Sequence, residues 1–100
     1  MGATSFETSA RGENINEAYK TAVEDAIYDY GHDPYNATIS TTNGVIDTTE
    51  KLLSAIDAFG LKEGQEVWEE KAFDNAEKWK ECWGAKHPNG HYIFAGIAAE

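Results

Sequence analysis

One cysteine, two prolines and eight basic residues in a chain of 100 are the scarcities that bound this protein. With Cys82 alone, no intramolecular disulfide can form, so a small secreted scaffold held by cystines is excluded and a reducing cytoplasm is expected. No apolar run approaches the roughly 20 residues of a membrane span. The first residues lack the basic and apolar regions of a signal peptide, and Phe6 stands where a myristoylation signal wants Ser or Thr. No glycine-rich loop has the spacing of a phosphate cradle, because Gly60 and Gly64 lack the following Lys and Ser or Thr. No serine sits in a nucleophile elbow. The expectation is a protein without catalytic residues and without a cofactor.

Basic residues are outnumbered eighteen to eight by Asp and Glu, giving a net charge of −10. Such a surface repels nucleic acid and anionic membrane, since binding a phosphate backbone depends on Lys and Arg displacing counterions. The expected partner is a protein with a basic surface, with solubility as the plainer use of the charge. Direct nucleic-acid and membrane contacts are not expected, and a monomer or small homo-oligomer is.

What is present argues for one folded domain over residues 1–100. Hydrophobic residues make up 41% of the chain, too many for disorder, and this length suffices for a single core. Thr4 to Ala10 alternates as a half-buried strand. Asn14 with Glu17 imitates a capping box and starts a helix that runs to about Tyr30, where Gly31 ends it. Its apolar face is Ile15, Tyr19, Ala22, Val23, Ala26 and Tyr30.

Tyr35 to Thr42 alternates as a second strand, and Asn43-Gly44 signals a tight hairpin with Val45 and Ile46 pairing back briefly. Asp47 with Glu50 suits another helix start, and Gly60 closes that helix after Phe59. Gly64 precedes a long helix ending at Gly84, and residues 86 to 90 form a turn. His91 to Ala99 is apolar on both faces, so it belongs centrally in its sheet. The fold class is α+β, a small, largely antiparallel sheet of three to four strands packed with about three helices.

The densest stretch is AIYDYGHDPYNATIS, residues 26 to 40. Most of it reads as a helix end, a turn at Asp33-Pro34 and a strand entrance. Its aromatics also suggest an alternative function, a small-molecule or nucleotide pocket built from Tyr28, His32, Tyr35 and Tyr92. Asn36-Ala37-Thr38 matches a glycosylation acceptor by chance. Cys82, His87 and His91 have a spacing that zinc accepts, but no fourth ligand accompanies them, and the histidines flank a turn, so no metal is expected.

The long helix carries two stripes. Trp68, Ala72, Ala76, Trp79 and Trp83 fall within an arc of about 80° and read as core. Glu66, Glu70, Asp74, Glu77 and Glu81 repeat that pattern shifted by two residues, hence by about 200°, and point to solvent. Five carboxylates over roughly 22 Å make a rod of negative charge that imitates a phosphate path. An ordinary solvated face, partly neutralised by Lys71 and Lys78, is the plainer account. The partner-binding candidates are these five acids with Tyr28 and His32.

Tyr28, Tyr30, Gly31, His32, Tyr35, Thr38 and Ile39 form a pattern, an alanine-rich helix ending in Tyr-x-Tyr-Gly-His and followed by Tyr-x-x-Thr-Ile. Over about residues 6 to 46 it resembles small proteins encoded by bacteriophages and related mobile elements. The resemblance implies context and no catalytic residues: accessory proteins of this kind are often inhibitors of host defence or of host enzymes. A nucleic-acid-binding host enzyme, whose groove is already basic, is the target it suggests.

Overall fold

Alternation at the amino end and unbroken apolarity at the carboxyl end set the frame of the sheet. The computed structural model describes residues 2–31, 38–76 and 80–99. In chain order these form strand β1 (Ala3–Ala10), helix α1 (Ile15–Tyr30), a 3-10 turn (Ile39–Thr41), strand β2 (Val45–Asp47), helices α2 (Thr49–Phe59) and α3 (Leu61–Asn75), and strands β3 (Cys82–Lys86) and β4 (Tyr92–Ala99). The strand order is β1-β4-β3-β2. Two of the three pairings are antiparallel, and β2 runs parallel to β3. The α+β class is therefore as read from the sequence. Strand β4 lies inside the sheet, as its two apolar faces require.

Helix α1 starts as expected. The Asn14 side chain accepts from the Glu17 N–H at 2.9 Å, and the Glu17 carboxylate reaches back to the Glu13 N–H at 3.3 Å. Its alanines, Ala18, Ala22 and Ala26, recur every four residues and let the helix lie close to the sheet. The β1–α1–β2 and β2–α2–α3–β3 crossovers run in opposite directions along the sheet. A common right hand therefore puts their helices on opposite faces. One core holds α1 against Ala10, Cys82, Tyr92 and Phe94, and the other holds Leu52, Trp68 and Ala72 against Ala85, Ile93 and Ala95.

Four expectations are corrected. The strand expected over Tyr35 to Thr42 begins outside the described residues, and its described part is a 3-10 turn. There the Thr41 hydroxyl donates to Thr38 O at 2.9 Å and the Thr42 hydroxyl to Ile39 O at 2.6 Å. A run of Thr and Ser offers its backbone such local bonds in place of a strand ladder. Asn43-Gly44 consequently turns no hairpin. It leads into β2, whose register sets Val45 beside Cys82 in parallel, with Cys82 N–H donating to Gly44 O at 3.0 Å.

The third and fourth corrections concern the long helix. Gly64 lies inside α3, which starts at Leu61, because a Cβ there would stand 2.4 Å from Ile56 Cα; only glycine lets α3 pack this closely on α2. At the other end α3 stops at Asn75, whose side-chain amide donates to Lys71 O at 2.8 Å, and Ala76 is extended. Cys82 to Lys86 is then a strand, with Cys82 and Gly84 toward α1 and Trp83 and Ala85 toward α2 and α3. The tryptophan stripe is thus split between α3 (Trp68, Ala72) and β3 (Trp83), while Trp79 lies outside the described residues. Trp68 and Trp83 still meet in one core, their rings 6.5 Å apart.

Candidate protein-binding surface

The buried side of α3 is Gly64, Trp68 and Ala72. Three of the expected acids, Glu66, Glu70 and Asp74, lie on its exposed side. Glu63, also exposed, joins them, and the four fall within about 80° of arc over roughly 16 Å of helix. Glu77 lies outside the described residues, and Glu81 sits in the half-buried approach to β3, off the helix. The rod expected from five carboxylates is therefore a shorter face of four. Lys71 makes no ion pair with Asp74; among the described residues the ion pair formed is Lys20–Glu24, 4.0 Å apart on α1. Among the described residues none of the four carboxylates forms an ion pair, and Lys78 lies outside them. A helix start after Gly64 leaves Glu63 out of the row, whereas α3 begins four residues earlier, at Leu61, and takes Glu63 onto the face of Glu66.

Tyr28 projects from the last turn of α1 with 89% of its surface exposed. Glu24, Asp25 and Asp29, all exposed, share that part of the helix. Tyr92 is buried and paired opposite Ala10, beside the start of α1. The two tyrosines therefore occupy opposite ends of the α1 layer, and the structure does not bring them together. His32 and Tyr35, the other members of that corner, lie outside the described residues. Tyr19, not among the candidates, is the tyrosine with a polar role: its hydroxyl accepts from the Gly44 N–H at 3.0 Å and lies 2.7 Å from Thr42 Oγ1, tying α1 to the β2 approach. Burial raises its pKa.

Cys82, His87 and His91 are likewise apart. Cys82 opens β3 while His87 follows its far end, about five strand residues or 16 Å along. His87 Nδ1 accepts from the Asn89 N–H at 3.1 Å inside the turn, and His91 Nε2 accepts from Arg11 Nε at 3.1 Å. Burial pushes the Cys82 thiol up to about 12, against a smaller opposing hydrogen bond from Thr42, so it is neither thiolate nor reactive at neutral pH. Among the described residues no three His, Cys, Asp or Glu side chains are grouped to hold a metal.

One carboxyl pair joins β1 to α3 on the face of the sheet opposite α1. Glu69 on α3 meets Glu7 on β1, and burial, the hydrogen bond with Glu7 and its charge push Glu69 up to about 7, while Gln65, donating at 3.1 Å, opposes the rise. Among the described residues no helix is long and apolar enough to cross a membrane. The chain matches no protein-family model, no curated protein and no solved structure.

Proposed function

We propose that this protein is a non-catalytic binding module whose acidic α3 face docks on a basic protein surface. The observation that carries the reading is the exposed row Glu63, Glu66, Glu70 and Asp74, without an ion pair among the described residues and presented by a helix whose other side is anchored in the core through Trp68. A rigid helix holds charges at fixed spacing without the entropy cost that mobile loops incur, and a field of one sign both speeds encounter and rejects acidic surfaces. The resemblance to bacteriophage and mobile-element proteins gives the reading its setting: an inhibitor acting in a host cytoplasm, on a host defence or nucleic-acid-binding enzyme. Such an enzyme carries a groove evolved for phosphates, which a row of carboxylates can occupy as a mimic.

The test is capture from host lysate by the immobilised protein, with mass spectrometry of what is retained, repeated with the triple variant Glu66→Lys, Glu70→Lys, Asp74→Lys. These residues are exposed, so circular dichroism and melting temperature should be unchanged. Wild type is expected to retain a basic protein that double-stranded DNA displaces, and the variant to lose it. Equal retention by the folded variant removes α3 from the interface.

A further inference from the structure

Strand β1 is eight residues long and, among the described residues, has a neighbour on one side only. An edge of this length presents a row of unpaired backbone N–H and C=O groups. The opposite edge, β2, has three residues and leads at once into α2, so it offers no comparable row. Beside the open edge of β1 lies a cleft of about 330 Å³, whose floor includes Phe6, Thr8, Ala22 and Ala26 and whose α1 wall carries Asp25 and Asp29. Both carboxylates are exposed, and neither has an ion-pair partner among the described residues.

We infer that this cleft takes an extended, basic peptide segment of a partner protein, added to β1 as a fifth strand. Three features fit that occupant. Backbone bonds along the edge supply affinity that does not depend on side chains, which is how strand addition works. Alternate residues of an added strand point to one face about 6.6 Å apart. Asp25 and Asp29, four residues apart on α1, are separated by about 6 Å along the helix axis. Lysines or arginines at positions i and i+2 of the segment therefore meet the two carboxylates in register. A second copy of this chain fits worse. Pairing β1 with itself sets Glu7 and the Asp25–Asp29 walls of two molecules, each at −10, against one another.

The inference concerns a surface separate from α3 and stands without it. Its probe is an acetylated, amidated heptapeptide, Thr-Lys-Val-Lys-Val-Lys-Thr, labelled for fluorescence anisotropy at physiological salt. Two control peptides accompany it, one with the lysines replaced by glutamate and one N-methylated along its four central residues. Wild type is expected to bind the lysine peptide at least about tenfold more tightly than either control, with slowed amide exchange confined to residues 3–10. Asp25→Lys with Asp29→Lys should weaken it at least about tenfold, because two attractions become repulsions. The triple α3 variant should change it by less than about threefold, since screening extends only about 8 Å. Equal binding of the N-methylated peptide overturns strand addition, and undiminished binding to the folded Asp25/Asp29 variant overturns the assignment of the cleft.

Discussion

Replacing Thr48 with valine tests the polar joint between α2, α3 and the sheet. Thr48 is 5% exposed, and its hydroxyl accepts from Trp68 Nε1 at 2.8 Å while donating to Gly84 O at 3.0 Å. Valine keeps the shape and removes both bonds. Gly84 O retains the Thr48 N–H at 2.8 Å, so the orphan left behind is the indole N–H of a side chain only 1% exposed. A buried donor without a partner costs about 1–3 kcal/mol, so Thr48→Val should lose about 2 kcal/mol. In a domain of this size that lowers Tm by roughly 8–16 °C. Thr48→Ser keeps both bonds and gives up one methyl group, costing about 1 kcal/mol. In a Trp68→Phe background the valine substitution should cost at least about 1 kcal/mol less, because the donor it orphans is already gone. Urea unfolding followed by tryptophan fluorescence measures wild type, the three single variants and the double variant. A Thr48→Val variant within about 0.5 kcal/mol of wild type, or one no worse than Thr48→Ser, would refute the joint.

Gly64→Ala should destabilise by about 2 kcal/mol despite the better helix propensity of alanine, because its Cβ would stand 2.4 Å and 2.5 Å from the Cα and N of Ile56, which are backbone and cannot swing aside; a melting curve at or above wild type would contradict the close packing of α2 and α3. Glu69 supplies a pH prediction. Its folded pKa, raised from 4.5 to about 7, means the folded state holds the proton more tightly; stability is full below about pH 4.5 and falls as pH rises through 7. Glu69→Gln should match wild type near pH 4 and exceed it at pH 8 by about 1 kcal/mol, a figure reduced for solvent screening of this part-exposed pair. A constant difference across that range in paired urea titrations would show that ionising Glu69 costs the folded state nothing.

Much of this fold was legible because local and global signals agreed. Alternation in β1, the Asn14 cap and the two-faced apolarity of β4 each point to the environment the residue occupies. The failures fall where one pattern serves two periods. Trp68, Ala72, Trp79 and Trp83 satisfy a helical repeat, yet Cys82-Trp83-Gly84-Ala85 equally satisfies a period of two, and the sheet, needing a second neighbour for β4, decides between them. Glycine disfavours helices, so Gly64 reads as a boundary, whereas its use here is contact with Ile56, visible only once α2 is in place. The site was legible to the same degree. The exposed acids of α3 follow from helical spacing alone. The cleft at Asp25 and Asp29 and the Glu7–Glu69 pair depend on β1 being an edge and on residues 62 positions apart, which no local pattern encodes.

If the α3 carboxylates carry the encounter with a basic partner, the association rate must fall as salt rises. The captured partner is immobilised, and association is followed from about 50 to 500 mM salt, over which the screening length falls severalfold. Wild-type association should slow by at least about tenfold across this range. The folded Glu66→Lys, Glu70→Lys, Asp74→Lys variant should associate slowly at every concentration. A wild-type rate that is flat with salt, or a variant that follows the wild-type curve, would contradict that role for the α3 carboxylates.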